Sequence, residues 1–438
     1  MTAAPDSRRA LLEAILAAAI RETHAGERLR AALAREGDTL RLAGRALARD
    51  ARLVVLAVGK AAGAMALALE DVAGERIAAG LAVTKAGHGA PLRRCALLEA
   101  GHPVPDARSA AAGREVLRLA EAARPDDVLV VLLSGGASSL LACPQPGLEL
   151  EDLAATTALL LRAGAEIVEL NAVRKHLTEL SGGRLVARAR SRTVEVCVVS
   201  DVLGDRLDVI GSGPCAPDPT TFADALGVLG RRRVLARVPA AVRSHLEAGA
   251  RGERSESPKP GDPVFAKVRT TLLAANRDAL AAAAREAGAR GLRAVVVSGS
   301  LRGEARDAGR RLAALGCALR DVGPVCLLAG GETTVTVRGP GRGGRSQELC
   351  LAAALALDGE PRVAMLAAGT DGSDGPTDAA GAFADGGSVA RGARLGLDAR
   401  ACLARNDAHG FFAVEGGVLR TGPTGTNVLD LALVLVRP

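Results

Sequence analysis

The chain has 438 residues, 48% of them apolar, which is too long for one ordinary domain and enough for two hydrophobic cores. Its net charge of +7 comes from basic residues scattered among acidic ones, with only short runs such as Arg231-Arg232-Arg233, and this describes a solvated surface rather than a polyanion-binding face. There is no Trp and no Tyr, and Phe222, Phe265, Phe383, Phe411 and Phe412 are the only aromatic rings apart from histidine, so the stacking platforms of single-stranded nucleic-acid binders are missing and no nucleic-acid partner is expected.

At the amino terminus Leu12, Ile15, Leu16, Ala19 and Ile20 recur at helical spacing, and Glu13 breaks the apolar stretch. This predicts an amphipathic helix packed on a core, not a signal or a membrane span, in a cytoplasmic protein. Eight well-separated cysteines with no CxxC pair, several inside apolar runs, are expected to be reduced core thiols rather than zinc ligands or disulfides. Of the 56 basic residues only Lys60, Lys85, Lys175, Lys259 and Lys267 are lysine, so a lysine is an informative choice here.

Apolar, β-branched runs end in glycine and lead into alanine- and leucine-rich helical patterns. They are Leu53 to Val58, Leu81 to Thr84, Val128 to Leu133, Val194 to Val199, Ala294 to Val297 and Val363 to Ala368. The alternation predicts a parallel α/β architecture with helices on both sheet faces, where ligands bind beyond the carboxyl ends of the strands. The polar stretch from Arg251 to Pro263 predicts a linker or a surface excursion, and divides the chain into domains at 1–262 and 263–438. In the second, GETTVTVRG and GFFAVEGGVLRTG predict antiparallel strands in hairpin-like order.

The strand exits carry the candidate chemistry. Leu53 to Val58 opens into Gly59-Lys60-Ala61-Ala62-Gly63 before a helix, which sets an ammonium beside free backbone amides and suits a carboxylate or phosphoryl group; a surface lysine is the plainer reading. Neither GxGxxG nor GxxxxGK[ST] is present. Val128 to Leu133 opens into Ser134, Gly135, Gly136, Ala137, Ser138 and Ser139, either an anion cradle or an ordinary tight turn; GASSL fails the GxSxG elbow. Asn171, Arg174 and Lys175 fall on neighbouring faces of a helix, Asp201 follows a buried strand, and Ser212 and Gly213 lie close behind. For these, an exposed polar helix face and a helix cap are the ordinary alternatives.

Further on, Glu332 and Thr333 follow an apolar run, and Arg345 sits among glycines at a helix start, where a guanidinium can meet phosphate oxygens bidentately. In Gly369 to Asp378 the carboxylates of Asp371, Asp374 and Asp378 crowd one loop after a buried strand. Such a cluster favours a hard cation such as Mg²⁺ with a phosphate-bearing substrate, the alternative being a solvated turn. A last glycine-rich loop runs from Thr421 to Asn427.

Taken in order, AVGKAAGAMA, GHPVPD, LSGGASSLL, NAVRKHL, SDVLGD, GSGPCAPDPTTFADAL, GGETTV, GGRSQE, GTDGSDGPTDAAGAF and TGPTGTNV resemble the class II glycerate 2-kinases, whose carboxy-terminal part is the MOFRL domain, over nearly the whole chain. The resemblance implies an N-terminal Rossmann-like α/β/α sandwich, a C-terminal mixed-sheet α/β domain and an interdomain cleft. It implies ATP-dependent phosphorylation of D-glycerate at its 2-hydroxyl with a divalent metal such as Mg²⁺. By the same resemblance Lys60 and Arg345 are the charge-stabilising catalytic pair, and Asp201, Glu332, Asp371, Asp374 and Asn427 match motif positions that face the cleft; we infer the division among ligands, with Asp371 and Asp374 assigned to the metal. Ser134, Gly135, Gly136, Ser138, Ser139, Asn171, Lys175, Asp201, Ser212, Gly213, Glu332, Thr333 and Asn427 are assigned to glycerate and nucleotide. Two alternatives stay open, an NAD(P)H-dependent hydroxypyruvate reductase and a non-enzymatic sensor of an acidic metabolite. The sequence carries no signal for an oligomeric state.

Overall fold

The computed structural model describes residues 7–102 and 104–437, which form two compact α/β units. One comprises residues 25–273; the other joins the described residues up to His24 to residues 274–438.

In the unit of residues 25–273, a small antiparallel sheet of β1 (Leu33–Glu36), β2 (Thr39–Leu42) and β3 (Arg45–Ala46) precedes the main one. The main sheet contains β4 (Leu53–Val58), β5 (Ile77–Lys85), β6 (Ala96–Ala100), β7 (Val128–Leu133), β8 (Thr193–Val199) and β9 (Val268–Ala274), in the order β6-β5-β4-β7-β8-β9. Every residue of β4 and β7 is buried, as continuous apolar strands require when both faces are covered. Val54, Leu56 and Val58 share a core with Val116 and Leu117 of helix Ala107–Ala122, while helix Ala62–Ala73 packs on β4 and β5. The pairs β4/β5, β5/β6, β4/β7 and β7/β8 are all parallel, and the chain reverses its direction of travel across the sheet between β4 and β7. This is the doubly wound order with its switch point at the exits of those two strands.

The second sheet contains β10 (Arg293–Leu301), β11 (Val325–Gly331), β12 (Val363–Gly369), β13 (Gly381–Asp385), β14 (Val418–Leu419) and β15 (Asp430–Val436), in the order β10-β11-β15-β12-β13-β14. Only β10/β11 is parallel; β15 runs antiparallel between β11 and β12. Alternate residues Val325, Leu327 and Ala329, with Val363, Met365 and Ala367, meet helices Ala305–Ala318 and Arg345–Ala356 in one core.

The expected antiparallel strands are present only in part: of GFFAVEGGVLRTG, Val418–Leu419 forms β14, antiparallel to β13. GFFAVE belongs to helix Ala408–Glu415, through which Phe411 and Phe412 fill the core, and after Gly331 the segment GETTVTVRG forms only an isolated bridge at Thr334. Ala294 to Val297 lies in the edge strand β10, with Val296 50% exposed, rather than in a buried one.

The division of the chain also differs from the expected 262/263 boundary. Helix Ser7–Glu22 buries Leu12, Ile15, Leu16 and Ala19 as its periodicity predicts, yet it packs on β12, β15 and helix Asn276–Ala289, and so joins the second unit. Thr426 Oγ1 donates to the Thr23 carbonyl (2.6 Å) and fastens the end of that segment.

Of the two expectations for 251–263 the surface excursion holds: the stretch is mostly exposed, but it is tied to the unit of residues 25–273 rather than linking two units. Glu256 accepts the Phe222 amide (2.8 Å) and meets His176 Nε2 (3.1 Å), and Ser257 donates to buried Asp218 (2.8 Å). Burial would push the Glu256 carboxyl up, but His176, the Phe222 amide and Lys259 outweigh it and hold it at about 2. A carboxyl depressed on folding contributes stability above its ordinary titration range and loses it as the pH falls through the folded value. Glu256→Gln is therefore expected to cost about 1–2 kcal/mol at neutral pH, discounted for partial exposure, and progressively less from about pH 5 toward pH 2. Urea unfolding of both proteins at pH 7 and pH 3 checks this; an equal difference at both pH values would mean that the charge is not what holds the segment.

The eight cysteines are free thiols, seven of them buried, and burial pushes Cys143 to about 11 and Cys197 to about 12. Among the described residues no helix is long and apolar enough to cross a membrane.

Candidate functional site

At the switch point of the first sheet, the exits of β4 and β7 are laced together. The Lys60 amide donates to the Gly135 carbonyl (2.9 Å), and the Ala61 amide donates to Ser134 Oγ (3.0 Å). Gly59 makes this approach possible: its φ is +123°, and a Cβ there would stand 2.3 Å from Ser134 Oγ. Lys60 thus enters the loop at the start of helix Ala62–Ala73, beside the Ser134–Ser139 turn. The helix after that turn, Ala137–Leu140, has only four residues, too short for a dipole of any consequence, so its contribution lies in individual amides and hydroxyls.

Those hydroxyls form a chain. Ser139 Oγ donates to the Gly136 carbonyl (3.0 Å), Ser138 Oγ lies 2.7 Å from Ser212 Oγ, and Ser212 Oγ donates to Asn171 Oδ1 (3.1 Å). Gly211, Ser212 and Gly213 all have positive φ, and Ser212, at +61°, is a non-glycine residue held in a conformation that costs about 1 kcal/mol or more. The Gly182 and Gly183 amides fix this turn by donating to the carbonyls of Ser212 and Gly213. Ser134, Gly135, Gly136, Ser138, Ser139, Asn171, Ser212 and Gly213 are therefore brought together, and Asp201 lies just beyond the exit of β8.

Lys175, assigned to glycerate and nucleotide, does not lie on an exposed polar face. Its side chain is 2% exposed, and the ammonium lies 3.3 Å from both Asp208 and Asp218, so it is committed to a buried ionic pair of contacts. His102 is an addition that the sequence reading did not single out: a Cβ on Gly136 would sit 3.0 Å from His102 Nε2 and 3.5 Å from Lys60 Cγ. Its signal was a lone histidine in the loop after β6, on the same side of the sheet as Lys60. A cavity of about 520 Å³ in this unit is lined by Leu207, Asp208, Cys215, Pro217, Phe265 and others, and Lys60 is not among its lining residues.

In the other unit, Gly331 at the end of β11 and Gly369 at the end of β12 are both in register with Asp430 at the start of β15. Asp430 accepts Arg345 Nε and Nη2 (2.5 and 2.9 Å), a two-pronged grip, and Arg345 Nη1 meets Glu332 Oε1 at 2.8 Å. Burial alone would make the guanidinium easier to deprotonate, but Asp430, Glu332 and Asp374 raise its pKa well above the ordinary value. Asp430 also was not singled out from the sequence; its signal was one acidic residue opening an otherwise apolar strand.

Asp374, expected as a metal ligand, serves the helix that carries Arg345. Its two oxygens accept the amides of Ser346 (3.0 Å) and Gln347 (2.8 Å), and Gln347 Nε2 adds a third bond (3.0 Å). Gly344 permits the contact, since a Cβ there would stand 2.2 Å from Asp374 Cγ. Burial pushes the Asp374 carboxyl up to about 6 against these hydrogen bonds.

Asp371, 5% exposed, accepts the Ser373 amide at 2.9 Å. The Asp374 carboxylate is thus engaged with its helix, and among the described residues no cluster of three or more His, Cys, Asp or Glu is arranged to hold a metal. Thr370 stitches this loop to the segment 421–429: its Oγ1 donates to the Leu429 carbonyl (2.6 Å), and its own carbonyl accepts from Thr424. Thr333 and Asn427 are buried beside the same strand ends.

A doubly wound sheet with a lysine at its switch point, and a mixed sheet with a carboxylate-gripped arginine at its strand ends, define a two-domain α/β enzyme built to handle anions. Comparison with known proteins narrows the class. Residues 11–247 match a family described as a domain of unknown function, DUF4147, and residues 325–430 match the MOFRL family. The chain is 40% identical to the glycerate 2-kinase of Pyrococcus horikoshii over 405 residues, 91% of this chain and 90% of that one. It is equally 40% identical to an Agrobacterium vitis protein named for hydroxypyruvate reductase, over 392 residues, 88% of this chain and 87% of the other. The solved structure of Thermotoga maritima glycerate kinase superposes with a TM-score of 0.83 at 37% identity, over 99% of this chain and all of that one. The chain belongs to the class II glycerate 2-kinase family, with its MOFRL domain at the carboxyl end.

Proposed function

We propose that the protein transfers the γ-phosphoryl group of ATP to the 2-hydroxyl of D-glycerate, giving 2-phosphoglycerate and ADP. The observation that carries this reading is Arg345, a guanidinium held between Glu332 past the end of β11 and Asp430 at the start of β15, in a chain alike over most of its length to glycerate 2-kinases. In the reaction the glycerate oxygen bonds to the γ-phosphorus as the bond to the ADP oxygen breaks. In a loose transition state the hydroxyl proton leaves late, so alignment and charge matter more than covalent chemistry. Lys60 and Arg345 supply the fixed positive charge. The Ser134–Ser139 turn, with Ser138, Ser212 and Asn171 in one hydrogen-bonded chain, offers amides and hydroxyls to a carboxylate or phosphate.

Mg²⁺ is proposed to enter on the ATP phosphates, with those oxygens and water as most of its ligands, because Asp374 is engaged with its helix. The cation would offset charge on the triphosphate; Asp371 is the acidic residue of the loop that remains assigned to it.

The reductase reading has one structural point in its favour, since dinucleotide-binding sheets share the strand order of β4 to β9. Against it, the turn after β4 reads Gly59-Lys60-Ala61-Ala62-Gly63 and lacks the GxGxxG that lets a pyrophosphate approach the backbone. On one preparation, glycerate-dependent ADP formation should exceed hydroxypyruvate-dependent oxidation of NADH or NADPH by about 100-fold or more. The reverse ratio would transfer the protein to the oxidoreductases.

A further inference from the structure

The two carboxylates that hold Arg345 are unequal. Asp430 opens β15 between two strands, its side chain is 13% exposed, and it takes Nε and Nη2 together. Glu332 lies past the end of β11, its side chain is 44% exposed, and it meets the single nitrogen Nη1. Two parallel hydrogen bonds from a rigid strand fix both the plane and the direction of a guanidinium, which a contact from a more exposed side chain at the end of a strand does less strictly.

We propose that Asp430 is the positioning residue for Arg345, setting the orientation in which the guanidinium meets the phosphoryl group in the transition state. The inference rests on the proposed catalytic role of Arg345. Arg345 also opens helix Arg345–Ala356, whose first amides are held by Asp374, so backbone and side chain are anchored by separate carboxylates, one on a loop and one on a strand. Losing the Asp374 contacts would loosen the helix start. Losing Asp430 would leave the helix in place and free only the side chain to turn.

The test is a double-substitution cycle in the full chain, read as glycerate-dependent ADP formation with ATP and Mg²⁺. Asp430→Asn keeps the size but turns a donor toward one guanidinium N–H, and should lower kcat by about 10- to 100-fold while KM for ATP and glycerate stays within about threefold. In an Arg345→Lys background, where no fork can form, the same substitution should cost less than about threefold, because the two residues act as one unit. Asp430→Glu, which keeps the charge but displaces it, should fall between and covers the case in which the asparagine variant folds poorly. An equal loss in both backgrounds, or a kcat within about threefold of wild type for Asp430→Asn, overturns the inference. Wild-type kcat in Arg345→Lys alone overturns instead the role given to Arg345, and the two failures are told apart by that single variant.

Discussion

Arg345→Ala is expected to lower glycerate-dependent ATP turnover by about three orders of magnitude or more. The loss removes the guanidinium that Asp430 and Glu332 hold at these strand ends. It also removes the two-pronged contact from Asp430, largely buried, so a fall in stability of about 1–3 kcal/mol should accompany the loss of rate. Arg345→Lys separates the two effects. It keeps the charge beside Asp430 but not the fork, so stability should largely return while kcat stays about 10- to 100-fold low. Steady-state kinetics with thermal melts checks both variants, and near wild-type turnover in the alanine variant would remove Arg345 from the mechanism.

Lys60→Ala is expected to lower kcat by about 100- to 1000-fold with the fold intact. The backbone of Lys60 is anchored independently of its side chain, through its amide to Gly135 and through the neighbouring Ala61 amide to Ser134. Truncation should therefore shift the melting temperature by no more than about 2–3 °C. If the ammonium instead binds the glycerate carboxylate in the ground state alone, KM for glycerate will rise with kcat unchanged. Unaltered kcat and KM together would reduce Lys60 to a surface lysine.

The strand exits were legible in the sequence because parallel strands covered on both faces read as unbroken apolar runs closed by glycine, as in β4 and β7. Strand order was not, since it depends on which edges pair, and the switch point that singles out Lys60 emerged only with the sheet assembled. Periodicity showed that helix Ser7–Glu22 buries one face but could not say against what; its partners lie more than 250 residues along the chain. Gly-Phe-Phe-Ala-Val has strand-like composition, yet the core of the second unit takes Phe411 and Phe412 from a helix, a tertiary override of local propensity.

Asp374 reads as a metal ligand because acidic residues on a glycine-rich loop crowd together in sequence. Its actual partners, the amides of Ser346 and Gln347, lie 28 and 27 residues earlier. Asp430 escaped notice for the opposite reason, being one acidic residue at the mouth of an apolar strand with nothing nearby in sequence to pair it with.

The central claim is phosphoryl transfer to the 2-hydroxyl of glycerate, and ³¹P NMR of the product formed from D-glycerate, ATP and Mg²⁺ tests it most directly. The account predicts 2-phosphoglycerate, appearing in step with ADP. Formation of 3-phosphoglycerate would contradict the regiochemistry, and no phosphorylated glycerate under conditions that oxidise NADH or NADPH with hydroxypyruvate would contradict the account as a whole.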